Sequence, residues 1–140
     1  MDSILFSAGT KRHVVPQDWY SEIIAGKYGA VIFDCDGTLV DSSEAHFQSF
    51  RTAVRAQGYD LDRDWYAQRN GLDRQTLLSH FASINTGAFD VALASRQSIE
   101  VFISGATAVA PIDETGNLVR ALAGTYPMAV GTNAEIEVAT

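Results

Sequence analysis

Apolar and polar residues follow two different patterns along this chain. Between residues 44 and 103 apolar side chains recur every three or four positions, as they do on the buried face of an amphipathic helix. The segments 29–33 and 128–132 are instead short, continuous apolar runs, which favour buried strands. The pattern therefore predicts two strands separated by a long helical segment.

The helical segment is divided by residues that commonly end helices. Breaks at Gly58 and Asn70-Gly71 leave predicted helices over 44–57, 63–69 and 89–103, and Asp73 caps a fourth with Leu77, His80 and Phe81 facing inward. A further helix around 118–122 ends at Gly124 and precedes the second strand. Residues 1–28 give a weak signal, with one short helix predicted over 18–25.

Composition and charge narrow the function classes. The 140 residues suit one domain, and a net charge of -7 without any basic run argues against nucleic acid or an anionic membrane as partner. A single cysteine, Cys35, excludes a disulfide framework and a four-cysteine zinc site. No signal-peptide pattern and no apolar run of about 20 residues is present, so we expect no membrane association and a cytoplasmic location.

The first predicted strand ends at two aspartates, Asp34 and Asp36. Residues two apart on an extended chain point to the same side, so both carboxylates can face one site while Cys35 faces elsewhere. The two carboxylates repel each other, and Mg²⁺ held by hard oxygen ligands offsets that repulsion. Gly37 follows and lets backbone N–H groups approach a phosphate.

This arrangement indicates phosphoryl transfer through a covalent intermediate. Asp34 attacks phosphorus, and Asp36 protonates the leaving oxygen and then activates water. A bare Asp-x-Asp-Gly sequence is more often a polar turn. The longer string favours a site, because an apolar strand, the paired aspartates, Gly37-Thr38 and Asp41-Ser42 coincide in it.

The string Val31-Ile32-Phe33-Asp34-Cys35-Asp36-Gly37-Thr38-Leu39-Val40-Asp41-Ser42 resembles the first motif of the haloacid dehalogenase superfamily. It is most similar to the branch that contains β-phosphoglucomutase and sugar phosphatases of the fructose-1-phosphate phosphatase kind. The resemblance implies an α/β fold, a Rossmannoid core with an inserted helical cap. It also implies that Asp34 is the nucleophile and a Mg²⁺ ligand, that Asp36 is the general acid/base and ligates through its backbone carbonyl, and that Gly37 and Thr38 bind phosphate.

Later segments extend the resemblance in chain order. Residues 41–47 are similar to the hinge and first cap helix of this branch, with His46 at the place of a frequent histidine. Asn70-Gly71-Leu72-Asp73-Arg74 is similar to a substrate-recognition loop, which implies substrate roles for Gly71 and Arg74. Residues 127–133 resemble the second motif, in which Thr132 and Asn133 bind the phosphoryl group. The implied domains are an N-terminal extension at 1–28, a core at 29–42 and 106–140, and a cap at 43–105.

Each secondary assignment has a structural alternative. A histidine such as His46 on an amphipathic helix is commonly a structural residue, and an arginine such as Arg74 is commonly a solvated helix charge. Thr132 at a strand end also satisfies simple β propensity.

Two motifs of the superfamily are missing from the chain. After Thr132 there is no lysine or arginine, and the acidic residues Glu135 and Glu137 do not resemble the pair that completes the Mg²⁺ site. A core with two strands leaves open edges, which promote aggregation. We therefore expect a truncated product, or a chain that needs a complementing C-terminal segment or self-association.

Three functions follow from the sequence. The first is a Mg²⁺-dependent phosphatase that acts on a small phosphorylated metabolite of the phosphosugar type. The second is a catalytically incompetent remnant that binds phosphate, metal or a partner. The third is a phosphomutase similar to β-phosphoglucomutase.

Overall fold

The computed structural model describes residues 3–106 and 109–139. The chain separates into two compact units, one formed by Met1–Asp41 with Pro111–Gly131 and the other by Ser42–Ala110 with Thr132–Thr140. Residues 1, 2, 107, 108 and 140, which the predicted domain ranges include, lie outside the described residues. The helical segment therefore interrupts the first unit in the sequence.

The first unit begins with a β-hairpin, where the sequence pattern predicts no strand. Strand β1 (Ser3–Ser7) pairs antiparallel with β2 (Thr10–Val14), and Ser3 lies opposite Val14. Ala8 and Gly9 between them have φ angles of 48° and 79°, the left-handed conformation that two-residue hairpin turns require. The sequence pattern predicts only one helix in residues 1–28 and misses these two strands. Most hairpin positions are exposed and therefore carry little hydrophobic signal.

The predicted N-terminal helix is confirmed. A 3-10 turn over Pro16–Asp18 leads into α1 (Trp19–Gly26). The helix ends where Lys27 adopts a left-handed φ of 52° and donates its backbone N–H to the Ile24 carbonyl. The observed bounds lie within one residue of the predicted 18–25.

Two parallel strands form the sheet that carries the predicted motifs. Strand β3 (Val31–Asp34) pairs with β6 (Met128–Gly131), and the register runs from Val31 opposite Met128 to Asp34 opposite Gly131. Both strands lie where the sequence predicts them. Helix α6 (Asp113–Leu122) precedes β6 and buries Leu122 completely.

The prediction that both strands are buried is wrong for much of their surface. Phe33 is buried, but Ile32 is 73% exposed and Val130 is 58% exposed. A continuous apolar run predicts burial only if other elements cover both faces of the sheet. Within the described residues this sheet has two strands, so neither strand is flanked by a strand on both edges, and Ile32 and Val130 keep exposed surface on opposite faces.

Two short strands, β4 (Val40–Asp41) and β5 (Ala110–Pro111), lie where the chain passes between the two units. Within the first unit, the Ile112 backbone N–H donates to the Leu39 carbonyl at 2.9 Å. This bond attaches the start of α6 to the segment that follows β3.

The second unit is helical, as predicted for residues 44–105. Its elements are α2 (Ser43–Arg55), α3 (Arg63–Ala67), α4 (Arg74–Ile84), α5 (Val91–Gly105) and α7 (Ile136–Ala139). Asp62, Asp73 and Asp90 each accept a hydrogen bond from a backbone N–H in the first turn of α3, α4 and α5. Helix α7 has no counterpart in the sequence prediction.

An aromatic and aliphatic core holds these helices together. Its buried members come mainly from α2 and α4 and are Phe47, Phe50, Ala53, Val54, Leu61, Leu77, Leu78, Phe81 and Ala94. The inward prediction holds for Leu77 and Phe81 and is wrong for His80, which is exposed. Leu78, about one helical turn before Phe81, lies on the same buried face of α4. His80, directly before Phe81, points away from that face and is exposed to solvent.

Candidate active site

The candidate site starts at the carboxyl end of β3. Asp34 is the last residue of the strand and lies opposite Gly131 of β6, while its neighbour Phe33 is buried and anchors the strand end. Asp36 lies beyond the strand in an isolated bridge with Val40, and Cys35 between the two aspartates forms a bend. Neither aspartate lies in a helix, and a shared site for their carboxylates stays a prediction.

A tight turn follows the aspartates and closes on Cys35. The Cys35 carbonyl accepts the backbone N–H groups of Leu39 at 2.8 Å and of Thr38 and Val40 at 3.2 Å each. Gly37 takes a φ of 73°, which favours glycine, and donates its N–H to the Val40 carbonyl at 2.8 Å. The N–H groups of Gly37 and Thr38 are thus used within the turn in this conformation.

Asp34 and Asp36 both affect the ionisation of the Cys35 thiol. The pKa of its thiol is raised, first by burial and then by the negative charges of Asp36 and Asp34. Both carboxylates therefore lie close enough to disfavour a third negative charge between them. Cys35 is correspondingly a poor nucleophile at neutral pH.

The donor set at this strand end fits a hard divalent cation. Asp34 and Asp36 supply oxygen ligands two residues apart, and Mg²⁺ commonly takes one or two protein carboxylates and fills its other positions with water and substrate phosphate. Among residues 3–106 and 109–139 no group of three or more histidine, cysteine or acidic side chains lies in a metal-binding arrangement. The two aspartates are therefore the oxygen ligands that this strand end could offer to such a cation, with water and substrate supplying the others.

The residues of the second motif lie directly after β6 in the sequence and belong to the second unit. The Thr132 hydroxyl oxygen accepts the Ala134 N–H at 3.1 Å, and the Asn133 side chain donates to the Gly71 carbonyl at 3.4 Å. Gly71 has a φ of 90° at the turn before α4. Asn133 and Gly71, which the sequence assigns to different motifs, are therefore neighbours within this unit.

Arg74 is buried rather than solvated, at 5% exposure. Its Nε donates to Glu135 Oε1 at 2.9 Å, and its Nη1 donates to Ser98 Oγ at 2.7 Å. Its guanidinium carbon lies 4.7 Å from the Phe50 ring centroid. The solvated-charge alternative is wrong. Sequence reasoning missed Glu135 and Ser98 as partners because neither lies near Arg74 in the chain.

His46 lies on α2 and stacks against an aromatic ring. Its imidazole centroid is 4.2 Å from that of Phe102, with an interplanar angle of 17°. This contact gives His46 a structural role within the helical unit. Its substrate role stays a prediction.

Comparison with known proteins assigns the family. Residues 31–140 match the profile of the haloacid dehalogenase-like hydrolases, and the chain belongs to that family. The α/β fold with an inserted helical segment, expected from the first motif, is confirmed.

Among individual proteins, the chain is 27% identical to fructose-1-phosphate phosphatase YqaB of Escherichia coli (strain K12), an alignment covering 81% of this chain and 60% of that protein. It is 31% identical to protein CbbY of Rhodobacter capsulatus, covering 59% of this chain and 40% of the relative. The chain thus spans about half the length of the curated relatives that it matches.

Solved structures share the fold. CbbY from Rhodobacter sphaeroides in complex with phosphate superposes with a TM-score of 0.69 at 21% identity, covering 79% of this chain and 53% of that chain. A phosphoglycolate phosphatase homologue from Lactobacillus plantarum gives a TM-score of 0.67 at 17% identity, covering 78% and 51%. Across the described residues, no helix has the length and apolarity to cross a membrane.

Proposed function

We propose that this chain carries the nucleophile half of a phosphatase that hydrolyses a small phosphosugar-type monoester. The observation that carries the proposal is Asp34 at the carboxyl end of a parallel strand, followed two residues later by Asp36 in the turn that closes on the Cys35 carbonyl. Family membership supports the same reading. A relative that is a fructose-1-phosphate phosphatase and a CbbY structure in complex with xylulose-1,5-bisphosphate favour phosphorylated sugars as the substrate class.

The reaction has two displacement steps at phosphorus. In the first, an Asp34 carboxylate oxygen forms a bond to phosphorus, the bond from phosphorus to the ester oxygen breaks, and Asp36 gives its proton to the leaving alkoxide. In the second, Asp36 takes a proton from water as that water attacks phosphorus. Inorganic phosphate leaves and the Asp34 carboxylate is regenerated.

The remaining proposed residues orient the phosphoryl group. The side chains of Thr132 and Thr38 would donate hydrogen bonds to phosphate oxygens. Asn133, the residue after Thr132, is proposed to bind the same phosphoryl group. When bound by the Asp34 carboxylate and the Asp36 backbone carbonyl, Mg²⁺ would neutralise phosphate charge and reduce the repulsion that an anionic nucleophile meets. Gly71, His46 and Arg74 belong to the helical unit and are proposed to contribute to substrate recognition.

The test is turnover of p-nitrophenyl phosphate with added Mg²⁺ by the full chain. Asp34→Asn removes the nucleophile and is expected to lower kcat by roughly a thousandfold or more, and Asp36→Asn, which removes the acid, by roughly a hundredfold to ten-thousandfold. Asp18→Asn, a matched change at an exposed aspartate of the same unit, is expected to leave turnover unchanged. Equal turnover by Asp34→Asn and the unmutated chain would exclude this mechanism.

A second candidate is phosphate or metal binding without turnover. It needs fewer residues than turnover does, and Asp34 at the end of β3 with Asp36 in the following turn are the acidic residues that would take part in it. Titration with orthovanadate and Mg²⁺ separates the two functions. Saturable binding that Asp34→Asn weakens, together with no turnover, would identify the binding function.

A further inference from the structure

A buried threonine on α6 contacts the turn that follows the two aspartates. Thr115 is 4% exposed, and its hydroxyl lies 2.5 Å from the Thr38 carbonyl oxygen, 77 residues away in the sequence. The same hydroxyl lies 3.0 Å from the Ile112 carbonyl, three residues earlier. A hydroxyl has one proton to donate, and the shorter distance assigns that proton to Thr38.

The Thr115 contact is one of two adjacent attachments of the turn to α6. The Ile112 N–H donates to the Leu39 carbonyl, so consecutive carbonyls of the turn are held by the start of one helix. The other side of the same two peptides is held from within, because the N–H groups of Leu39 and Val40 donate to the Cys35 carbonyl. The peptide between Thr38 and Leu39 is therefore fixed on both sides.

We infer that Thr115 is a positioning residue, whose hydroxyl holds the Cys35–Val40 turn and thereby Asp36 in the orientation that the reaction needs. The catalytic part of this inference rests on the proposed phosphatase function, while the structural part does not. Threonine in the first turn of a helix ordinarily bonds the carbonyl three residues back and serves only its own helix. Burial and the shorter bond to Thr38 give this hydroxyl a partner on the turn instead.

The experiment compares Thr115→Val, which keeps the shape and removes the donor, with Thr115→Ser, which keeps the donor. Hydrogen exchange is measured at the backbone amides of Thr38, Leu39 and Val40, and those of β6 serve as the internal reference. Loss of one hydrogen bond is expected to speed exchange in the turn by about fivefold in Thr115→Val and to leave β6 unchanged. Thr115→Ser is expected to restore the slow rate, and Thr125→Val at an exposed threonine of the same unit controls for the new valine.

Kinetics with p-nitrophenyl phosphate supply the second readout. Thr115→Val is expected to lower kcat by about fivefold with little change in KM, because Asp36 is displaced while ground-state phosphate contacts persist. If the unmutated chain shows no turnover, the proposed function fails but the exchange result still decides the role of Thr115.

Three results would overturn the inference. Unchanged exchange in the turn of Thr115→Val would show that the hydroxyl does not hold it, and an equal rise in the turn and β6 would show a contribution to general stability only. Should Thr115→Val fail to fold, Thr115→Ala against Thr115→Ser provides the same comparison. Failure of both Val and Ala variants to fold would also contradict a role confined to the turn.

Discussion

At the scale of single residues, the candidate site depends on three consecutive positions with different environments. Asp34 is exposed at the strand end, while Cys35 and Asp36 are half-buried in the turn. Burial and two neighbouring carboxylates make a negative charge at Cys35 unfavourable. The thiol therefore serves as a local probe of the charges that the proposed chemistry needs.

Alkylation of Cys35 by iodoacetamide is expected to have its pH midpoint above that of an ordinary cysteine. Only the thiolate reacts, and a raised pKa means that it appears at higher pH than the usual value of about 8.5. Asp36→Asn is expected to lower the midpoint more than Asp34→Asn, since the Asp36 charge is the larger of the two carboxylate contributions. The urea-unfolded chain provides the reference, and a folded midpoint at or below that reference would contradict the environment described here.

At the scale of elements, the helical unit owes its order to capping residues, an aromatic core and surface ion pairs. Arg63 bonds both carboxylate oxygens of Glu44 and lies over the Phe47 ring, so an ionic contact covers part of the core. Asp60 accepts hydrogen bonds from Arg55 and Arg51 beyond the end of α2. These contacts connect α2 with the segments that follow it.

The stability of the helices is expected to fall in acid as Glu44 is protonated. Hydrogen bonds from Arg63, and then from Gln48, lower the Glu44 pKa to about 2. A carboxylate whose folded pKa lies below its unfolded value of about 4.3 stabilises the fold above pH 4.3, and that contribution disappears as the pH falls toward 2. The effect is small because both side chains are exposed.

Urea unfolding followed by far-ultraviolet circular dichroism measures this contribution. Glu44→Gln is expected to lower the urea midpoint at pH 6 and to match the unmutated chain at pH 2. Glu100→Gln, at an exposed position of α5 with no ion pair among the described residues, is expected to show no such difference. A deficit of Glu44→Gln that persisted at pH 2 would show that the charge is not its cause.

Most of these helices and strands could be predicted from the sequence. Helices over 44–105 and both motif strands were predictable, because helical periodicity and short apolar runs are local signals. The hairpin was missed because exposed strands such as β2 lack an apolar alternation, and the burial of Ile32 was overestimated because it depends on which elements cover the sheet. The pairing of Arg74 with Glu135 and of Thr115 with Thr38 joins residues distant in sequence, which no local pattern encodes.

At the scale of the whole molecule, the chain carries the helical insertion between two motif strands and spans about half the length of its curated relatives. Ile32 and Val130 are exposed, and within the described residues their sheet has two strands; a complementing segment or self-association is expected from the sequence. That expectation stays a prediction. The net charge of -7 repels a phosphate dianion. The Mg²⁺ proposed to bind at Asp34 and Asp36 would reduce that repulsion at the site.

The proposed mechanism requires that Asp34 becomes covalently phosphorylated. Asp36→Asn is incubated with p-nitrophenyl phosphate and Mg²⁺ and quenched in acid, and peptides containing residues 31–40 are examined by mass spectrometry. Slowed hydrolysis in this variant is expected to let the phosphoryl group accumulate on Asp34, and the double variant with Asp34→Asn is expected to carry none. Turnover by the unmutated chain with no phosphoryl group on Asp34 at any time point, or a phosphoryl group on another residue, would contradict the proposed mechanism.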